Sequence, residues 1–312
     1  MRAGRLVGLA LGTAVLAGCG GTATSPAPAP SAASSPASSE ATTDATSPAT
    51  GASPSTTPPR RAVPRLDHVV VVVMENHTAS AVLGNPDAPF INGLARTGAT
   101  LTQSYAVAHP SQPNYLALFS GSTQGVASDR CPLTFSGPNL ATSLRAAGRT
   151  FAGYSEDLPS AGFTGCQAGD YARKHNPWVD FPAVPPAANQ PMTRFPTDPA
   201  RLPTVAFVVP NLAHDMHDGT VAEGDAWLAR HLGGYAQWAP THNSALVVTW
   251  DEDDDDHDNR VATLVVGAHV RAGPYAGRVD HYRVLGMLSD VAGARPVGQA
   301  AGAAPLTGIW DG

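Results

Sequence analysis

Five consecutive valines, Val69 to Val73, constrain the folded form of this chain more than any other stretch. Two heavy atoms on each Cβ restrict χ1, so the run resists helix and favours an extended strand. No polar residue alternates with the valines, which requires cover on both faces. That is the situation of a central strand in a parallel sheet. The run passes through Met74 into Glu75 and Asn76. In open α/β sheets ligands gather outside the carboxyl ends of the strands, so Glu75 and Asn76 are the first candidates for a site. The plainer alternative is a buried strand followed by a polar turn.

Later stretches repeat the pattern. Residues 150–154, 205–209, 245–250 and 261–267 read as further strands, and helices are expected near 89–98, 115–119, 139–147, 222–231 and 282–288. Asn139 is a suitable N-cap for its helix, and Gly121 and Gly148 are suitable stops for theirs. Strands alternating with helices predict an α/β fold with a mostly parallel central sheet and helices on both faces. Residues 157–200 are rich in Pro, Gly and Ala and read as a long excursion without regular structure. The Ala- and Gly-rich tail, residues 295–312, is expected to pack loosely around a catalytic domain at 64–294.

The front of the chain differs in kind. Arg2 and Arg5 precede a short apolar stretch from Leu6 to Val15, and Leu16-Ala17-Gly18-Cys19 follows. Residues 1–18 therefore read as a secretory signal, too short to span a bilayer comfortably. The tetrapeptide resembles the bacterial lipobox, which makes Cys19 a lipidation site; an ordinary secretory signal with a stray cysteine is the alternative. Residues 19–63 are nearly all Ser, Thr, Pro, Ala and Gly and read as a disordered tether. The expected location is extracytoplasmic, on a lipid anchor, with no other membrane contact. Export favours a disulfide between the two remaining cysteines, Cys131 and Cys166, contributing roughly 3–4 kcal/mol in the chain-entropy model. Two unpaired core thiols are the other reading. The net charge of −6 argues against nucleic acid as a partner.

Three apolar strands end in residues suited to metal or acid–base chemistry: Glu75-Asn76, the run Asn211 to Asp218, and Asp251-Glu252. Carboxylates gathered at one point repel by about 4 kcal/mol per pair at 4 Å in an effective dielectric of 20. A divalent cation with oxygen ligands is the usual remedy. The acidic run after Asp251 fails the helix–loop–helix calcium pattern, because Asp256 stands where Gly is required and Ala262 where Glu is. Ser111 is the candidate nucleophile, since Pro113 suits a first helical turn and places the serine where backbone N–H groups converge. A simple capping serine is the bland reading. The cluster Arg173-Lys174-His175-Asn176 either closes over the site to hold an anionic substrate or is a solvated loop.

Met74-Glu75-Asn76-His77, HPSQPNYLALFSG at 109–121, NLAHDMHDG at 211–219, GDAWL at 224–228 and WDE at 250–252 carry a family resemblance. Over residues 66–290 the chain resembles the bacterial and fungal phosphoesterases of the alkaline phosphatase superfamily, which include metal-dependent acid phosphatases and phospholipases C. The resemblance implies an alkaline-phosphatase-like fold and hydrolysis of a small phosphorylated substrate. It implies one divalent ion (Ca²⁺, Mg²⁺, Mn²⁺ or Zn²⁺) on Glu75, Asn76, Ser111, Asp251 and Glu252, with Ser111 phosphorylated during turnover. His217, His109 and His281 are the implied assisting histidines, and Lys174, His175, Asn176 and Asp215 the expected substrate contacts. The Ser111-centred string is closer to the acid phosphatases, which favours phosphate monoesters. A phospholipase C acting on diesters and a non-catalytic phosphate-binding surface lipoprotein are the alternatives.

Overall fold

The computed structural model describes residues 63–311. The signal segment, Cys19 and all but the last residue of the tether lie outside the described residues. Eight strands form one sheet: β1 His68–Met74, β2 Ala99–Leu101, β3 Phe151–Ser155, β4 Asn189–Pro191, β5 Val205–Val209, β6 Ser244–Trp250, β7 Thr263–Gly267 and β8 Gly273–Tyr275. Their order across the sheet is β8-β2-β7-β6-β1-β5-β3-β4. The fold is α/β, and the sheet is mostly parallel. β7 runs antiparallel to both of its neighbours. The stretch between β6 and β7 holds no helix of the kind that usually carries a parallel crossover.

The valine strand occupies the middle, pairing in parallel with β5 on one side and β6 on the other. Its side chains alternate between two cores. Val69, Val71 and Val73 face helices α2 (Ser111–Ser120), α3 (Leu140–Ala146) and α5 (His281–Ala292). Val70, Val72 and Met74 face α1 (Pro89–Thr97) and α4 (Val221–Trp238). All five valines are fully buried or nearly so, and each contributes roughly 1.5–3 kcal/mol through apolar burial.

Two regions depart from expectation. Residues 157–200 hold short 3₁₀ turns, two-residue strands and the three-residue edge strand β4, and they are packed onto the sheet. Trp178 lies against Gly153 of β3, where an added Cβ would fall 2.2 Å from its ring. Arg173 is buried, donating from Nε and Nη2 to Asp180 Oδ1, so this basic run does not move freely over the surface. The C-terminal residues are also packed in place: Ala300, Leu306, Ile309 and Trp310 join the core beneath α5. Small residues dominate that tail, but its three large apolar side chains suffice to anchor it. Cys131 and Cys166 form a disulfide, with Cα atoms 5.7 Å apart. Among the described residues no helix is long and apolar enough to cross a membrane.

Candidate active site

The register between β1 and β6 aligns Met74 with Trp250, so Glu75 and Asp251 leave the sheet side by side. Backbone bonds hold them there. Asp251 N–H donates to Met74 C=O at 2.9 Å, and Glu75 N–H donates to Asp215 C=O at 2.8 Å. Asn76 turns the chain with φ of 51°, a left-handed conformation that Asn adopts more readily than most residues. Its N–H reaches Asp251 Oδ1 at 3.3 Å. The ends of β1, β5 and β6 thus bring Glu75, Asp215, Asp251 and Glu252 to one rim.

Ser111 is delivered from the other side by α2. Pro110 holds the cap position, so Ser111 is the first helical residue and its hydroxyl caps nothing. The loop before it is tied down by Asn114, which accepts from the N–H groups of Val107 and Ala108 and donates to Ala108 C=O. Ser111 Oγ then lies 3.1 Å from Glu75 Oε2 and 2.9 Å from Glu252 Oε1. A hydroxyl has one proton, so it satisfies one of these carboxylates and not both. Tyr115, one turn later, donates to Glu75 Oε1 at 2.5 Å.

His175 stacks on Tyr115 with ring centres 4.9 Å apart. Its Nε2 lies 3.1 Å from Glu75 Oε1 and its Nδ1 3.3 Å from Asp215 Oδ2. Ligand atoms of Glu75, His175 and Asp215 all fall within 4.8 Å of one another. His175 Nε2, Asp215 Oδ2 and Asp251 Oδ2 are buried with no hydrogen-bond partner. Leaving such groups unpaired is costly, by about 1–3 kcal/mol each. Burial raises Glu75 well above the usual carboxylate range, with Asp251 and Asp215 adding repulsion. Burial and Glu252 do the same to Asp251, and burial pushes Asp215 up to about 7. Burial also holds His175 well below its ordinary value, hence neutral with a lone pair to offer. Unpaired acceptors, crowded carboxylates and a neutral imidazole fit a divalent cation.

The opposite wall is cationic. Burial lowers the Lys174 ammonium, but Asp129 and the nearby carboxylates outweigh it and raise it overall. Lys174 Nζ sits 2.8 Å from Asp129 Oδ2 and 3.3 Å from His217 Nε2. These groups line an open pocket of about 400 Å³ together with Asn76, Ser111 and Glu252. His109 closes another side, with Nδ1 2.6 Å from Glu252 Oε2.

A sequence model of the Phosphoesterase family matches residues 83–293. The chain belongs to the phosphoesterase family. It is a phosphoric ester hydrolase, as its relatives are. It is 52% identical over 252 residues to a phosphatidylinositol-3-phosphatase of Mycobacterium tuberculosis, an alignment covering 80% of this chain and 84% of that protein. It is 31% identical over 242 residues to a phosphate-repressible acid phosphatase of Penicillium chrysogenum, covering 71% of this chain and 56% of that one. The chain spans about half the length of the fungal and yeast acid phosphatases it matches. Among solved structures, an alkaline phosphatase superfamily protein of Vibrio parahaemolyticus superposes with a TM-score of 0.52 at 13% identity, over 79% of this chain and 72% of that one. The lipoteichoic acid synthase LtaP of Listeria monocytogenes gives 0.53 at 10% identity, over 80% and 77%. Similarity at that level speaks for the shared fold.

Within this phosphoesterase four residues expected to act on the substrate lie outside the lining of that pocket. Asn176 does not face the pocket: it is fully buried, accepts from Ser155 Oγ and donates to Tyr171, so both polar ends of its side chain are occupied. His281 is buried with Nε2 2.6 Å from Asp251 C=O, which makes it a brace for that strand end. His175 and Asp215, expected as substrate contacts, lie buried beside Glu75, in a group that could hold a metal ion. Two participants had no sequence signal, Tyr115 within an apolar helix and Asp129 in an irregular loop.

Proposed function

We propose that this phosphoesterase is a metal-dependent phosphomonoesterase of the acid phosphatase type, working through a phosphoserine at Ser111. The observation that carries the reading is Ser111 Oγ set between two carboxylates, in a cluster with more buried acceptors than protons. Glu75, Asp251, Glu252, Asp215 and His175 would hold a divalent ion, with Asn76 beside them at the pocket wall. Such an ion neutralises the carboxylates, polarises a phosphoryl oxygen and favours the serine alkoxide.

The chain's own groups account for the remaining steps. Lys174 and the first turn of α2 receive the anionic phosphoryl group. Ser111 Oγ gives up its proton to the carboxylate cluster and attacks phosphorus, and the bond to the leaving alcohol breaks. His217, beside Lys174 on the pocket wall, protonates the departing oxygen. Water then attacks phosphorus, the serine–phosphate bond breaks and Ser111 regains its proton. The names of the relatives, phosphatases throughout, support a monoester over a diester. An extracytoplasmic location with a lipid at Cys19 is part of the same reading, and the disulfide supports the export.

Ser111→Ala tests it. Hydrolysis of p-nitrophenyl phosphate should fall by on the order of 10⁴–10⁶ in kcat with the far-UV circular dichroism unchanged. Acid quenching of the wild type with ³²P-labelled substrate should leave label on Ser111. A variant within tenfold of wild type removes Ser111 from the role.

A further inference from the structure

Asp129 stands where a substrate anion would. It belongs to the loop after α2 and lines the phosphoryl pocket together with Ser111, Lys174 and His217. Its Oδ1 accepts from Gln112 N–H in the first turn of α2 at 3.0 Å, and its Oδ2 accepts from Lys174 Nζ at 2.8 Å. Those are the helix start and the ammonium assigned above to the incoming phosphoryl group. The helix supplies no anion of its own there, since its first turn holds no acidic residue and its cap position makes no side-chain hydrogen bond. A carboxylate from 17 residues downstream fills the place instead. Main chain and side chain of this loop are held differently. Arg130 N–H donates to Gln112 Oε1 at 2.8 Å, and Cys131 is bonded to Cys166, so the backbone stays in place. The Asp129 side chain is 27% exposed and can turn outward into water. A partly exposed ion pair of this kind is worth about 1 kcal/mol or less, so its release costs little. A phosphoryl group carries more charge and one more acceptor oxygen than a carboxylate, and it prevails in the exchange.

We infer that Asp129 is an internal competitor for the phosphate-binding groups: substrate displaces its carboxylate from Lys174 and the Gln112 amide, and its return helps to expel orthophosphate. This rests on the monoesterase reading above, which gives those two groups to the phosphoryl oxygens. The competitor role has a sign of its own. An Asp129 that only held Lys174 in position would strengthen phosphate binding, and its loss would weaken it; a competitor does the reverse.

The test measures inhibition of p-nitrophenyl phosphate hydrolysis by inorganic phosphate in the metal-loaded enzyme. Asp129→Asn should lower the Ki for phosphate, and the KM with it, by about tenfold, equivalent to about 1.4 kcal/mol. Asp254→Asn removes the same charge from the wall of the same pocket without touching Lys174 or Gln112. It should change Ki by less than about twofold, because an exposed charge in water is well screened. An unchanged or raised Ki in Asp129→Asn overturns the proposal, and so does an equal fall in both variants, which would reflect the general field of the pocket. A crystal structure of the wild type with phosphate gives a readout that needs no variant. Phosphate oxygens should lie on Lys174 Nζ and Gln112 N–H, with the Asp129 carboxylate turned to solvent; bound phosphate with both Asp129 contacts intact rejects displacement. Failure of the wild type to hydrolyse any monoester overturns the monoesterase reading instead. In that event calorimetric binding of phosphate to wild type and Asp129→Asn still decides the role of Asp129: equal affinities reject it.

Discussion

Two clusters in this molecule are built from the same kinds of side chain, and only one has the character of a metal site. Glu75, His175 and Asp215 form one; Asp253, Asp254 and His257 form the other, with ligand atoms equally close together. The first is wholly buried, and His175 Nε2 and Asp215 Oδ2 have no hydrogen-bond partner. In the second only Asp253 is buried, and it is already served: its two oxygens accept from Asp255 N–H and His257 N–H. Asp254 and His257 pair with each other at 2.7 Å in solvent. Proximity of carboxylates and imidazole therefore says little by itself. Desolvation without internal pairing is what creates demand for a cation.

The contrast is breakable, beginning with activity. Glu75→Gln keeps the shape of the side chain but removes a charge from the buried cluster. We expect kcat/KM on p-nitrophenyl phosphate to fall by on the order of 10³, about 4 kcal/mol of transition-state stabilisation. A loss under tenfold would put the ligand set elsewhere.

Stability gives a second, smaller readout. In metal-stripped protein Asp215 holds its proton up to about pH 7, whereas in the unfolded chain it releases it near 4. The folded state therefore binds more protons between those values, and stability falls as pH rises through that window. Urea midpoints should decline from pH 4 toward pH 7 and flatten in Asp215→Asn. Saturating divalent ion should restore stability at pH 7, by about 2.7 kcal/mol at a hundred times Kd. A midpoint that climbs with pH in the stripped protein contradicts the assigned burial effect.

The least effect belongs to the exposed cluster. Asp254→Asn combined with His257→Ala should change stability by about 0.5 kcal/mol or less. Turnover in the double variant should stay within about threefold of wild type, and its metal-induced shift in thermal midpoint should match. A shift lost here, and kept in Glu75→Gln, would reverse the roles of the two clusters.

The same division explains what could be read from the chain in advance. Glu75, Asp251 and Glu252 follow apolar strands directly, so the strand pattern that predicts the sheet also predicts their meeting. Ser111 was legible through its helix. Asp129 and Lys174 are separated by 45 residues, and neither sits on a periodic element, so no local pattern links them. His175 and Asn176 are adjacent in sequence, yet the turn between them sends one to Glu75 and the other to Ser155. Composition also misled at the C-terminus, where many small residues obscured Leu306, Ile309 and Trp310, the few that anchor it.

The seven-residue match of β1 to β6, from His68 beside Ser244 to Met74 beside Trp250, makes the sheet a ruler. Side chains at the rim can be exchanged one at a time, each at its own cost. Length cannot be altered so freely. One residue inserted into either strand would turn Glu75 or Asp251 to the opposite face and advance it by about 3.3 Å. Lineages that keep this chemistry should therefore vary in the identity of their valines and take their insertions in loops away from these two strands.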